Sequence, residues 1–116
     1  MSTPIGPYSP VVRAGDWVIT SGQIGMLEGK LISGGVVAQT KQALANIKAL
    51  LESEGLSITD VAKTTVFLRH MRDFALMNDA YAEFFGEHRP ARSAFAVVEL
   101  PALALVEVEA WAHVGS

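Results

Sequence analysis

Apolar and polar residues alternate near the start of the chain, as they do in strands that bury one face. Residues 10–14 and 17–24 are apolar and β-branched, and Gly15-Asp16 separates them, so we expect a hairpin here. Residues 29–35 contain three glycines and predict a loop or a short edge strand.

Helical periodicity replaces this alternation from Val36 onwards, and Gly55 supplies a stop signal for the first helix. A second helix is expected after Asp73, a residue type that caps helix N-termini, and it should end at Gly86. The apolar stripe of the first helix comprises Val36, Val37, Thr40, Ala43, Leu44, Ile47, Leu50 and Leu51. The stripe of the second comprises Phe74, Met77, Asn78, Tyr81, Phe84 and Phe85.

Further strands are expected between and after the helices. Residues 61–69 have strand character, and two more strands are expected over about 93–100 and 105–113, joined through Leu100-Pro101-Ala102. The order ββαβαββ predicts an α+β fold, with one domain over residues 1–116 and two helices on one face of a mixed sheet.

The last strand indicates that one copy of this domain leaves apolar surface uncovered. Alternate residues of a strand face opposite sides of the sheet. The face expected under the helices carries Val106, Val108, Ala110 and Ala112, and the other face carries Glu107, Glu109, Trp111 and His113. Two helices cover only one face, so we expect the second face to pack against another copy of the chain.

Composition supports a soluble protein that associates with itself. Half of the residues are apolar and only 18% are charged, against about a quarter in ordinary soluble domains. No apolar run approaches the roughly 20 residues that cross a bilayer, and the start lacks the basic and apolar regions of a secretory signal. The absence of cysteine excludes disulfides and thiolate nucleophiles and suits the cytoplasm, where we expect the protein. A net charge of −3 and nine scattered Lys and Arg residues speak against binding nucleic acid.

Several common catalytic arrangements are missing from the sequence. There is no Gly-x-Ser-x-Gly turn, and the histidines, His70, His88 and His113, lack the spacing of a metal site. Neither a serine nucleophile nor a bound metal is therefore expected.

Arg92 is the first candidate for a role in chemistry. It follows Pro90-Ala91 and opens an apolar strand, where a planar guanidinium fixed by a rigid turn would grip a carboxylate in two places. The alternative is that Arg92 only starts the strand and points into water, as most arginines do.

Two carboxylates form the second candidate. Glu107 and Glu109 lie on the strand face that bears Trp111. Partial burial there would raise the pKa of a carboxyl group and let it position or deprotonate a water molecule. The alternative is a solvated or salt-bridged edge of the sheet.

Three other positions are candidates for the site, although none of them carries a charge. Tyr8 follows a Gly-Pro turn that would project its ring, either toward a site or as a packing anchor. Ser21-Gly22-Gln23 ends a strand with small or polar residues, which indicates close approach of another group to the backbone. Asn78 is the polar residue on the second helical stripe, so it either satisfies a buried backbone group or faces a site.

Seven short motifs follow one another along almost the whole chain. They are Gly6-Pro7-Tyr8-Ser9, Thr20-Ser21-Gly22-Gln23-Ile24, the segment from Gln42 to Asn46, the segment from Lys63 to Phe67, Asp73-Phe74 with Asn78, Tyr81, Phe84 and Phe85, Pro90-Ala91-Arg92-Ser93, and Leu100-Pro101 with the segment from Val106 to Ala110. Together and in this order they resemble the RidA family, also known as YjgF, of small imine deaminases.

The resemblance implies a homotrimer with a chorismate-mutase-like fold and sites between subunits. It implies hydrolysis of 2-imino acids and their 2-enamine tautomers, such as 2-aminoacrylate and 2-iminopropanoate, to 2-keto acids and ammonia without a cofactor. Arg92 would bind the substrate carboxylate, and Glu107 would hold or activate the attacking water. The residues implied to shape the pocket, some of them across a subunit interface, are Tyr8, Ser21, Gly22, Asn78 and Ala94.

Some features depart from the family pattern. Ala94 stands where many members have Cys, which is harmless if only the backbone acts there. The connection from Phe85 to Pro90 is shorter than in many relatives, and Pro10 replaces a common Gln. These changes bear mainly on which substrate side chains the pocket accepts.

Other functions use the same residues. A keto-acid-binding or regulatory protein would need Arg92 as much as an enzyme does, and release of ammonia from an imine would separate the two. The family's older endoribonuclease label points to an RNA-cleaving translation inhibitor, against which the acidic chain speaks. A holdase chaperone is indicated only by the apolar surplus.

Overall fold

A five-stranded mixed sheet and two helices form most of the computed structural model, which describes Pro4 and residues 6–115. The strands of the sheet are β1 (Val11–Ala14), β2 (Trp17–Thr20), β5 (Val61–Leu68), β6 (Ala91–Ala96) and β7 (Val106–His113). The helices are α1 (Gly35–Ser53) and α2 (Phe74–Phe85). A separate small hairpin pairs β3 (Met26–Leu27) with β4 (Lys30–Leu31). The predicted α+β class, with two helices and a mixed sheet, is confirmed.

The strand order is β1-β2-β7-β5-β6, and the pairing of β5 with β6 is the parallel one. A parallel pair needs a crossover connection, which α2 supplies here. The register places Arg92 beside Thr64, and Thr64 beside Ala110 of β7. One row of the sheet therefore connects the start of β6 with the middle of β7.

The core lies between the helices and one face of the sheet. The four residues of β7 expected under the helices are fully buried there: Val106, Val108, Ala110 and Ala112. Both helices end near the predicted glycines, where φ is 77° at Gly55 and 64° at Gly86. Residues with a Cβ atom rarely adopt a positive φ, which is why glycine is preferred at these positions.

Two strands are shorter than predicted, each for a reason in the hydrogen bonds. β2 was expected to reach Ile24 but ends at Thr20. The Ser21 N–H donates to the Pro10 carbonyl at 2.8 Å and so extends the pairing with β1 by one step, but Pro10 has no N–H with which to continue it. Beyond that point only Gln23 pairs again with the sheet, through Val108.

β6 was expected over residues 93–100 but covers Ala91–Ala96. Its parallel partner β5 ends at Leu68, and the Val97 N–H makes the last bond, at 2.8 Å to the Leu68 carbonyl. The apolar residues that follow have no strand to pair with, and Val98 is 82% exposed.

The face of the sheet away from the helices, which we call the open face, carries large apolar side chains in contact with solvent. Trp17, Phe95 and Trp111 are 37%, 45% and 39% exposed. Trp17 and Trp111 form an edge-to-face pair with ring centroids 6.0 Å apart, and Phe95 makes a similar pair with Phe67 at 5.3 Å. Within the described ranges, neither helix is long and apolar enough to span a bilayer.

Candidate active site

The seven residues predicted for the site fall into two groups on opposite sides of the sheet. Arg92 lies on the helix side, because its register partner Thr64 is fully buried beneath the helices. Glu107 lies on the open face, beside Phe67, which contacts Phe95 there. The arginine half-site comprises Asn78, Arg92 and Ala94, and the glutamate half-site comprises Tyr8, Ser21, Gly22 and Glu107.

The guanidinium of Arg92 is held by groups that carry no negative charge. Its Cζ atom lies 4.8 Å from the centroid of the Tyr81 ring and 5.5 Å from that of Phe74, and its Nη1 atom lies 3.8 Å from the Met77 sulfur. Cation–π contacts attract the charge without occupying the N–H donors in the guanidinium plane. No salt bridge joins Arg92 to a carboxylate among residues 6–115. Apart from the Nη1–H that faces the Met77 sulfur, the donors are therefore available to an anionic ligand.

Sequence reasoning missed the three residues that hold Arg92. Phe74, Met77 and Tyr81 were interpreted only as core positions of the second helical stripe. Their spacing at i, i+3 and i+7 places them on one face of α2. That signal becomes informative only when the parallel register is known, because the register brings Arg92 under this face.

The Tyr81 side chain is itself held by a hydrogen bond to Thr64 of β5. Its hydroxyl and the Thr64 hydroxyl are 2.6 Å apart in a buried hydrogen bond. Burial raises the pKa of Tyr81, and this effect outweighs the opposing influence of the Thr64 hydrogen bond and of the positive charge on Arg92. The phenol is therefore neutral at physiological pH.

Asn78 and Ala94 complete the arginine half-site. Asn78 lies on α2 one turn from both Phe74 and Tyr81, and its buried Oδ1 atom accepts no hydrogen bond from the residues that the structure describes. It therefore does not satisfy a buried backbone N–H through this atom. Ala94 follows Arg92 on the same side of β6 and is half-buried against the core beside Val66.

Glu107 lies against the backbone of Gly22. A Cβ atom at position 22 would be 2.7 Å from Glu107 Cδ and closer still to its Oε2 atom. Only glycine leaves room for the carboxylate in this position, so Glu107 is the group that approaches the Ser21-Gly22-Gln23 segment. Burial raises the pKa of Glu107, and the neighbouring Glu109 charge raises it further.

Two hydrogen bonds from Ser21 connect the end of β2 to the segment that carries Tyr8. The Ser21 hydroxyl donates to the Ser9 carbonyl at 2.6 Å, and the Ser21 N–H donates to the Pro10 carbonyl at 2.8 Å. The Tyr8 ring packs over Gly6 and is 45% exposed, so much of its surface faces outward from this chain.

Two of the three histidines, His88 and His113, make structural contacts. His88 Nε2 lies 2.7 Å from the Val61 carbonyl oxygen, and the His113 ring packs edge-on against Trp17. In the part of the chain that the structure describes, no three His, Asp or Glu side chains lie together as metal ligands would.

Comparison with known proteins identifies the family. The family described as Endoribonuclease L-PSP matches residues 1–114. The chain is 49% identical to a RutC family protein of Pyrococcus horikoshii over 112 residues, which cover 95% of this chain and 89% of the relative. It is 45% identical to the 2-iminobutanoate/2-iminopropanoate deaminase of Salmonella typhimurium over 110 residues, which cover 91% of this chain and 86% of the relative.

A solved structure agrees in fold as well as in sequence. The structure of TdcF from E. coli with bound serine superposes with a TM-score of 0.90 at 40% identity, covering 95% of this chain and 90% of TdcF. The match to the family extends over nearly all of the sequence and over the order of its strands and helices. The chain therefore belongs to the Endoribonuclease L-PSP family, which is the YjgF/RidA family that its seven motifs resemble.

Proposed function

We propose that the protein hydrolyses small 2-imino acids and their 2-enamine tautomers to 2-keto acids and ammonia. The observation that carries this proposal is the fixed guanidinium of Arg92, which has no carboxylate partner among the described residues. Curated relatives from several organisms, 42–45% identical to this chain, are named 2-iminobutanoate/2-iminopropanoate deaminase. The related TdcF binds serine, a small amino acid with the same α-carboxylate.

Arg92 binds the substrate carboxylate in this proposal. The planar fork of a guanidinium matches a carboxylate in two parallel hydrogen bonds, and its charge persists at every physiological pH. The carboxylate is adjacent to the reacting carbon, so fixing it also fixes the imine carbon. The free Oδ1 acceptor of Asn78, one helical turn from the rings that hold Arg92, suits the N–H of the imine.

Glu107 receives the proton of the attacking water. The water oxygen bonds to the imine carbon, whose π electrons move to nitrogen, and the carboxylate takes up the released proton. The protonated Glu107 then returns its proton to the nitrogen. The hydroxyl of the tetrahedral adduct gives up its proton to the nitrogen through the same carboxylate, the C–N bond breaks, and ammonia leaves as the C=O bond forms. No electrons are gained or lost, so the reaction balances without a redox cofactor. A raised pKa makes the Glu107 carboxylate a better proton acceptor than an exposed one.

The two half-sites need a second copy of the chain to meet. Arg92 and Glu107 lie on opposite sides of one sheet, so the half-sites combine only if the glutamate half-site of one copy faces the arginine half-site of the next. Contacts between two different patches close into rings, and the family resemblance points to a ring of three. The proposed assembly is thus a homotrimer of chorismate-mutase-like form, with the open faces turned toward one another.

A coupled assay tests the activity. An amino-acid oxidase or a dehydratase generates imines, and formation of keto acid and ammonia is compared for wild type, Arg92→Ala and Glu107→Gln. Arg13→Ala serves as a control, because Arg13 pairs with Glu54 outside both half-sites. We expect losses in kcat/KM of about 10- to 100-fold for Arg92→Ala and of about 100-fold or more for Glu107→Gln.

A binding protein without turnover would give a different result. Wild type would then leave imine hydrolysis at its background rate while still binding 2-keto acids through Arg92. That outcome, obtained with an assembled oligomer, would overturn the deaminase proposal and favour a ligand-binding role.

A further inference from the structure

A closed chain of contacts runs from the backbone of Arg92 to its guanidinium. Arg92 and Thr64 are neighbours in the parallel pairing of β5 and β6. The Thr64 side chain is hydrogen-bonded to the Tyr81 hydroxyl at 2.6 Å, and the Tyr81 ring lies against the Arg92 guanidinium at 4.8 Å. Backbone and head group of the same arginine are thus connected through two other side chains.

The Tyr81 ring lies closer to the Arg92 guanidinium than the Phe74 ring does, and the Tyr81 hydroxyl is hydrogen-bonded to Thr64. Thr64 is fully buried and Tyr81 is 6% exposed, so this hydrogen bond is shielded from water. A buried, short hydroxyl pair resists displacement of the phenol ring, because moving its oxygen away from Thr64 would leave two buried polar groups without partners. The ring that supports the guanidinium is therefore held in a fixed position.

We infer that Tyr81, anchored by Thr64, is a positioning residue that sets the orientation of Arg92 for the substrate carboxylate. The inference rests on the proposed function for the identity of the ligand. Its physical basis is independent of that function, because a carboxylate must meet the plane of the guanidinium to form two hydrogen bonds. The rings and the Met77 thioether fix this plane without neutralising the charge.

Paired hydroxyl deletions test this role. Thr64→Val and Tyr81→Phe each remove one hydroxyl and keep most of the side-chain volume. Thr40→Val is the matched control, since Thr40 is also a fully buried threonine. It lies on α1, and its hydroxyl has no hydrogen-bond partner among the described residues. The double variant Thr64→Val/Tyr81→Phe completes the set.

Kinetics and binding are expected to separate positioning from general destabilisation. Thr64→Val and Tyr81→Phe should each raise KM, and the Kd for a 2-keto acid such as pyruvate, about two- to tenfold. The value of kcat should change little, because the carboxylate is bound equally in the ground state and the transition state. The double variant should be no weaker than the worse single variant, since both changes remove the same hydrogen bond. Thr40→Val should leave KM and Kd at wild-type values.

The Nε–H resonance of Arg92 gives a readout that needs no ligand. It is assigned by its absence from Arg92→Ala, and it should shift and broaden in Thr64→Val and Tyr81→Phe but not in Thr40→Val. An unchanged resonance in folded Thr64→Val and Tyr81→Phe would overturn the inference, as would an equal rise in KM for Thr40→Val. If wild type neither hydrolyses imines nor binds keto acids, the proposed function fails, and the resonance alone decides the role of Tyr81.

Discussion

The arginine half-site and the glutamate half-site prepare their charged groups in different ways. Arg92 keeps its charge in every environment, so two rings and a thioether are sufficient to hold it without an anion. Glu107 has a charge that depends on its surroundings, and burial against Gly22 raises its pKa. The residue with the fixed charge suits binding of a carboxylate, and the residue with the adjustable pKa suits proton transfer.

The two half-sites also depend on the fold in different ways. Arg92 relies on a register between strands that a whole helix separates in the sequence, whereas Glu107 relies on one glycine at the end of β2. Neither group reaches the other within one chain. The sharpest tests therefore ask whether they cooperate between chains and whether each can be disturbed alone.

The largest expected effect is recovery of activity from two variants that are each impaired in one half-site. Chains with Arg92→Ala and chains with Glu107→Ala are unfolded together, mixed in equal amounts and allowed to assemble. In any closed ring, about a quarter of the interfaces then pair an intact Arg92 with an intact Glu107, so about a quarter of wild-type activity should return. Native mass spectrometry confirms that mixed oligomers have formed.

Two controls fix the meaning of this result. Arg92→Ala mixed with a differently tagged Arg92→Ala should stay at the residual activity of that variant, and the corresponding mixture of Glu107→Ala chains should likewise show no recovery. Mixed oligomers without recovered activity would show that the two residues do not complete one site across an interface.

Gly22→Ala should disturb the glutamate half-site alone. The added methyl group would occupy the position of the Glu107 carboxylate, and the flexible end of that side chain must swing away. We expect kcat/KM to fall about 100-fold, as for loss of a general base, while the Kd for a 2-keto acid at Arg92 changes little. Assembly and melting temperature should stay close to those of wild type. Full activity in Gly22→Ala would show that Glu107 takes no part in the reaction.

The sequence was sufficient to predict the two faces of the sheet but not which face each site residue joins. The alternation along β7 placed Glu107 opposite Val108 correctly, because a strand has a fixed period of two. The side of Arg92 depends on its pairing with Thr64 through a parallel register, and no local pattern encodes that register. For the same reason, the sequence predicted the three residues of α2 that hold Arg92 only as part of an apolar stripe. These residues are Phe74, Met77 and Tyr81.

Strand ends were the other feature that local pattern could not predict. Val98 and Leu100 extend the apolar alternation of β6, yet the strand stops at Ala96 because its partner β5 has ended. At β2, Pro10 has no N–H with which to continue the pairing beyond Ser21, and Gly22 then lies against the Glu107 carboxylate. The early end of β2 therefore forms the glutamate half-site, which a strand continuing to Ile24 would not have formed.

Trp111→Ala should weaken the assembly that joins the half-sites. Trp111 is 39% exposed on the open face and packs against Trp17. Buried tryptophans are frequent centres of interfaces, and truncation of such a residue weakens association about 30-fold or more. Sedimentation velocity and the dependence of specific activity on dilution measure this effect. Leu76→Ala, at a half-exposed leucine on α2, is the control and should assemble normally; equal behaviour of the two variants would place the interface elsewhere.

The smallest expected effect is a pH-dependent difference in stability between wild type and Glu107→Gln. Burial raises the pKa of Glu107 above its ordinary value of 4.5, so the folded protein binds its proton more tightly than the unfolded chain does. The free energy of unfolding of wild type therefore includes a contribution that is fully present below pH 4.5 and is lost as the pH rises through the folded pKa. Glutamine has no proton to lose, so Glu107→Gln should gain stability relative to wild type across this window.

Urea unfolding at one protein concentration and at several pH values between about 4 and 8 measures this difference. The gain of Glu107→Gln should be smallest at the acid end, grow with pH and level off once the carboxyl group is ionised in the folded protein. Glu83→Gln, at an exposed carboxylate 4.0 Å from Lys41, is the matched control for removal of one carboxylate. A difference between Glu107→Gln and wild type that stays constant with pH would mean that burial against Gly22 does not set the charge of Glu107, and the contrast between the two half-sites would then be one of geometry alone.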